Sequence, residues 1–177
     1  MQLKSITAFL SVITVALGAT VQNVLDDIAA AKAQAVTLEN AIDSFPTTGG
    51  SLAQALAIHQ QALNTVSALN KTTSDVETVP LPVSEADAAS ILDAVIDAKP
   101  VIENGLTDIV TKKSAIDALP ISGLSALVEQ DLKALNTSTL ALGDDLIARA
   151  PADLLDEATS LRAEIAAAFV TAIAAYA

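Results

Sequence analysis

The stretch Val21–Phe45, VQNVLDDIAAAKAQAVTLENAIDSF, sets Val24, Ile28, Ala31, Ala35, Leu38 and Ile42 three or four residues apart. That spacing gathers them on one stripe of an α-helix. Pro46 cannot continue the helix, and Thr47-Thr48-Gly49-Gly50-Ser51 reads as a loop. Hydrophobic residues make up 52% of the chain and aromatics only 2%. A core of Ala, Leu, Ile and Val with no Trp suits helices, because strands favour more β-branched and aromatic residues.

The same period recurs along the rest of the chain. A second helix over about Leu52–Val76 carries Leu52, Leu56, His59, Leu63 and Val66, and Val79-Pro80-Leu81-Pro82 then breaks it. Ser84-Glu85-Ala86-Asp87 has the form of an N-cap with an acidic third residue. From there Ala88, Ile91, Val95, Ile102, Leu106, Ile109 and Ile116 lead to Leu119, with Pro100 predicting a kink or a junction of two helices. Pro120 ends that element and Ser122 is placed to cap the next, whose stripe is Val128, Leu132, Leu135, Thr139, Leu142 and Leu146. Pro151 is expected to start the last helix, with Leu154, Leu155, Ala158, Ile165, Phe169 and Tyr176. Short connections predict an all-α, up-and-down bundle of five to six helices with a kink or break near Pro100. A faint repeat relates Ala41–Pro46 to Ala115–Pro120, and Ala62-Leu63-Asn64-Thr65 to Ala134-Leu135-Asn136-Thr137. Two related helical hairpins would account for it.

Charge and composition exclude several classes of function. The 177 residues hold 9 Lys+Arg against 21 Asp+Glu, a formal charge of −12. No basic cluster is available to neutralise nucleic-acid phosphates or to meet an anionic membrane. With no Cys and one His, the chain has no disulfide framework, no protein-built zinc site and no thiol nucleophile. No Gly-x-Ser-x-Gly elbow surrounds a serine, and no calcium loop is present. Asp26-Asp27 and Asp144-Asp145 are neighbours in sequence, so on a helix they point about 100° apart and form no acid/base dyad. A non-enzyme with no cofactor and no metal is expected.

Met1–Lys4, an apolar run from Ile6 to Leu17 and the small residues Ala16 and Gly18 have the pattern of a secretory signal peptide, residues 1–18. The run is too short to span a bilayer. A single extracellular, soluble domain over 19–177 is expected, with no transmembrane segment. Ile165–Ala177 is apolar, but the spacing of Ile165, Phe169, Ala172 and Tyr176 fits a core helix better than a lipid-anchor signal. Asn70-Lys71-Thr72 and Asn136-Thr137-Ser138 are N-glycosylation sequons. On the projected stripe Asn70 falls on the apolar face, so a glycan there requires the helix to end earlier.

The apolar stripes lack the bulky aromatics that usually fill a bundle centre. Such an interior either packs with helices drawn close or leaves a dry channel that accepts a hydrocarbon chain. His59 sits between Leu56 and Leu63 on its stripe. It is expected either to bond a neighbouring helix or to anchor the headgroup of an apolar ligand, such as a fatty-acid carboxylate.

Val24-Leu25-Asp26-Asp27-Ile28, Ile42-Asp43-Ser44-Phe45-Pro46, Pro80-Leu81-Pro82 before Ser84-Glu85-Ala86-Asp87, and Ile91-Leu92-Asp93 to Lys99-Pro100-Val101-Ile102 occur in this order behind the leader. The set resembles the secreted fungal hydrophobic surface binding protein A proteins and the related antigenic cell wall galactomannoproteins. The resemblance covers essentially the whole chain after the leader. It implies an all-helical domain without catalytic residues. Some members adsorb to hydrophobic surfaces and help recruit polyester-degrading enzymes, and others are cell-wall antigens that hold long-chain fatty acids in a central apolar tunnel. For this chain the resemblance implies fatty-acid or similar lipid binding, with surface adsorption as the alternative and a structural wall mannoprotein without ligand as the third. Unlike the longer wall-attached members, this chain carries no Ser/Thr-rich tail. For a tunnel between the stripes the expected lining is Ile28, Leu56, Leu63, Val66, Val95, Ile102, Leu106, Ile109, Leu135, Leu142, Ile165 and Phe169, with His59 at the headgroup.

Overall fold

The computed structural model describes residues 18–177, so the expected leader, apart from Gly18, lies outside the described residues. Five helices follow one another: α1 (Val21–Asp43), α2 (Leu52–Thr78), α3 (Glu85–Asp117), α4 (Leu124–Arg149) and α5 (Leu155–Tyr176). The fold is an all-α bundle, as the periodicity predicts. Thr20 and Ser51 accept from the backbone of Asn23 and Gln54, whose side chains accept from the cap backbone in return. These capping boxes start α1 and α2, and Ser84 caps α3 by accepting from the Asp87 backbone.

At Pro100 the expectation left open a kinked helix or two helices, and α3 is one helix of 33 residues that runs through the proline, since α1 and α5 pack against it and tertiary packing offsets the missing N–H. Two boundaries differ from the expectation. Gly123, at φ 92°, stands at the start of α4 in place of a Ser122 cap. That left-handed turn is open to glycine at little cost. α5 begins at Leu155, because Pro151–Leu154 forms a turn first.

Packing closes the helices into a ring in the order α1, α2, α4, α5, α3 and back to α1, while α3 and α4 meet only marginally across it. The contacts give the directions. Ala19 N donates to Thr78 Oγ1, which sets α1 against α2 head to tail. His59 lies on Asp131, and Arg149 donates to the Glu77 carbonyl, so α2 and α4 run parallel in constant register. Lys112 Nζ donates to the Asp43 carbonyl, tying the C-terminal ends of α1 and α3. The repeat noted in the sequence thus matches α1 with α3 and α2 with α4, laid side by side. Ile42 and Ile116 are both buried at the equivalent position.

Every seam of this ring carries one pair of opposite charge type. They are Lys71–Asp27 at α1/α2, His59–Asp131 at α2/α4, Arg162–Asp144 at α4/α5, Lys99–Glu164 at α3/α5 and Lys32–Asp97 at α1/α3. Exposed pairs contribute little stability, about 0.2–1 kcal/mol each. Their value here is register, since each long cation reaches an acid on one neighbouring helix only.

One end of the ring is solid. Phe45, Ile116 and Tyr176 are buried there with Ile42, Ile109 and Phe169. Tyr176 Oη donates to the Ile109 carbonyl at 2.7 Å, and burial pushes its phenol well above the ordinary range. Gly50, at φ 117°, lies so close to the Phe45 ring that a Cβ would come within 2.7 Å of it. α5 is long and apolar enough to cross a membrane by length and composition, yet its stripe Leu161, Ile165, Phe169, Ala172 and Tyr176 is buried in the bundle. Phe45→Ala is expected to lower the unfolding free energy by about 3–5 kcal/mol, whereas Val170→Ala, on the outer face of α5, should stay within about 0.5 kcal/mol. Urea titrations of both variants check this.

Candidate functional site

Away from the plugged end, the ring does not fill. A cavity lies along its axis and is lined by residues of all five helices, from Val128 to Arg149 on α4 and from Val24 to Ile42 on α1. At 1.5 Å per residue the α4 wall alone spans about 32 Å. The cavity offers about 200 Å³ to the centres of water-sized molecules. One water needs about 10–15 Å³ of such space, so the room corresponds to on the order of a dozen waters.

Its walls are overwhelmingly aliphatic. Small residues such as Ala31, Ala35, Ala98 and Gly105 stand where larger side chains would close the space. The polar exceptions include Thr65, Thr139, Asp131, Lys32, Glu39, Arg149 and Arg162. Thr65 is buried, but its hydroxyl donates to the Gln61 carbonyl at 2.9 Å and is thereby satisfied within its own helix. Thr72, fully buried, does the same with the Ala68 carbonyl.

Of the residues expected to line a tunnel, Ile28, Val95, Ile102, Leu106, Ile109, Leu135, Leu142, Ile165 and Phe169 border this cavity. Three on α2 do not. Leu56 and Leu63 are 45% and 44% exposed on the outer face, and Val66 packs half-buried against the solid core, off the cavity wall. The inward stripe of α2 is instead Ile58, Ala62, Thr65, Leu69, Thr72 and Val76. Two stripes on this helix have helical period, and side-chain size favours the wrong one. The ring interior takes the smaller alanine and threonine because α1 and α4 both press on that face.

His59 is also displaced from its expected headgroup role. It lies off the cavity beside a void of about 10 Å³, with Nδ1 2.9 Å from both carboxylate oxygens of Asp131. The half-buried histidine bonded to a neighbouring helix is what the structure shows. Burial pushes the Asp131 carboxyl above the ordinary aspartate range, opposed by the His59 hydrogen bond and charge. The charged residues of the wall escaped the sequence reading because every one of them sits beside a stripe, where a solvated face is the default expectation.

Both sequons lie within helices. Asn70 is exposed in the middle of α2, which continues to Thr78, so it stands off the apolar face. Asn136 is half-buried in α4 with its carbonyl oxygen enclosed and unpartnered. The hydroxyl residues that complete the sequons, Thr72 and Ser138, are both buried. An acceptor site of this kind is readable by a glycosylating enzyme only before the helices pack.

The profile described as Hydrophobic surface binding protein A matches residues 18–148. The chain belongs to this family. A crystal structure of Afmp4p in complex with palmitic acid superposes with a TM-score of 0.81 at 32% identity, over 89% of this chain and 99% of that one. Ligand binding domain 1 of the Penicillium marneffei MP1 protein, complexed with arachidonic acids, gives 0.74 at 20% identity over 88% and 95%. Domain 2 of the same protein, complexed with multiple arachidonic acids, gives 0.63 at 22% over 88% and 93%; at such identities the likeness is one of fold. A search of curated protein sequences gave no match.

The Asp131 environment makes a pH-dependent prediction. A carboxyl whose folded pKa is raised contributes stability at low pH that is lost as pH rises through the folded value. His59→Leu removes the partner that opposes this shift, leaving a buried unpaired carboxylate. At neutral pH the variant should lose about 1–3 kcal/mol, and the loss should shrink toward pH 4 as Asp131 protonates. Urea midpoints across that range measure it; a loss independent of pH would contradict the assignment.

Proposed function

We propose that this family member is a secreted carrier that holds a long-chain fatty acid or similar lipid in the cavity between its five helices. The cavity itself carries this reading: an aliphatic channel that runs most of the bundle length and that the chain's own side chains leave open. The 32% identity to a palmitic acid complex that covers nearly the whole of both chains supports the same ligand class. Binding is non-covalent. Each methylene that leaves water contributes roughly 0.8 kcal/mol, so a sixteen-carbon tail supplies ample driving force against the cost of immobilising it. The ring is already closed, with its seams set in register, so little ordering entropy is added when a chain enters.

Carriage, with no catalytic step, fits the site: its polar groups are scattered along the wall and do not converge on one reacting atom. Secretion rests on the leader pattern of residues 1–18, immediately followed by the family match from residue 18. The acidic exterior keeps a protein with this much apolar surface soluble outside the cell, either free or held at a cell wall. Adsorption to hydrophobic solid surfaces is the second reading. Leu56 and Leu63, two helical turns apart on the outer face of α2 and nearly half exposed, favour it.

Val95 borders the cavity in the N-terminal half of α3, and Val95→Trp should fill the channel while leaving the helical content intact. Palmitate affinity, read by displacement of a fluorescent fatty acid, is expected to fall about tenfold or more. Unchanged affinity in a folded variant would place the ligand elsewhere.

A further inference from the structure

Among the described residues, almost every cation faces an acid. Lys32, Lys71, Lys99, Lys113, Lys133 and Arg162 each have a carboxylate within 4.0 Å. Lys112 instead donates to the Asp43 carbonyl at 3.0 Å, closing the end of α1. Arg149 is different. It stands in the last turn of α4 and borders the cavity, as do Val79, Val83, Leu146 and Leu154. Its Nη2 donates to the Glu77 carbonyl at 3.0 Å and its Nη1 to the Asp145 carbonyl at 3.3 Å. Its Nε is enclosed without a hydrogen-bond partner, so the donors left for a ligand are the second hydrogens of Nη1 and Nη2; the Nε of Arg162 is enclosed as well, but Asp144 stands beside that guanidinium. The carboxylates of Asp145, one helical turn before it, and of Glu77 form no ion pair with it, although the chain holds 21 acids.

A guanidinium is always charged and carries five donors in a planar fork. Two backbone carbonyls occupy part of that fork and fix its plane. A charged group without an acid partner is costly in so apolar a setting, and a sequence this acidic has ample means to neutralise it. The anion that fits comes from the cavity side. Resting on the carrier reading, we infer that Arg149 is the headgroup site: its guanidinium binds the carboxylate of a long-chain acid whose tail runs along the cavity toward Ile109 and Phe169. Arg149 and the solid Phe45 end then define polarity, with the acid head at the Val79–Val83 connection and the methyl end stopped by the aromatic plug.

The test compares palmitate with methyl palmitate, each delivered from cyclodextrin to delipidated protein, for the unaltered chain and for Arg149→Gln. The unaltered protein should prefer the acid. The variant should lose palmitate affinity by about ten- to a hundredfold while methyl palmitate changes by less than about threefold. Equal losses for acid and ester would make Arg149 a brace between α2 and α4 and overturn the headgroup assignment. Binding of neither ligand to the unaltered protein would overturn the carrier reading with it. A second measurement needs no variant: carbon-13 titration of carboxyl-labelled palmitate bound to the unaltered protein. A midpoint below that of the same acid in neutral detergent micelles is expected for a carboxylate held by Arg149. A midpoint at or above the micelle value would contradict it.

Discussion

Five helices packed in a closed ring surround a centre that ordinary side chains do not reach. With neighbouring axes 8–10 Å apart, a regular five-membered ring puts its centre about 7–8.5 Å from each axis. A helix with average side chains has a radius of about 5–6 Å. The inward stripes here carry much alanine and valine, so the gap is wider than that estimate. Phe45, Phe169 and Tyr176, the aromatic residues described, are all gathered toward one end. They seal that end and leave the remainder open. The cavity is therefore a direct consequence of helix number and side-chain size, and it needs no strained element to keep it open.

The exterior answers a different demand. An apolar interior of this size slides easily, because aliphatic contacts have no direction. The one pair at each seam removes that freedom by tying each helix to a particular height on its neighbour. Most of these pairs are exposed and screened, and so add little energy. His59–Asp131 is the exception, being largely enclosed, and there the carboxylate retains a net cost of burial. The excess of negative charge that remains keeps the outer surface wet.

Much of this was legible in the residues. The stripes of α1, α3, α4 and α5 follow from spacing alone, and Pro46, Pro80 and Pro120 mark true ends. Pro100 did not break α3, because contacts to α1 on one side and α5 on the other keep the helix continuous through it. α2 was misread by one face: Leu52, Leu56 and Leu63 outweigh Ala62, Thr65 and Thr72 on any hydrophobicity scale, yet the crowded inner seam selects the small residues, and helical hydroxyls satisfy themselves on the preceding turn. That same slip placed His59 in the interior. Arg149 carries no sequence signal, since an Arg four residues after Asp145 reads as a surface pair. Among the cations that border the cavity, only the lack of a facing carboxylate sets it apart.

The account stands or falls on whether the open centre of the ring holds a lipid. Native mass spectrometry of the protein purified from a secreting host, before and after lipid extraction, asks this most directly. A population heavier than the polypeptide by the mass of one or more fatty acids, lost on extraction and restored by added palmitate, is the predicted result. A single species at the polypeptide mass (allowing for any glycan), unmoved by extraction or by added fatty acid, would contradict it.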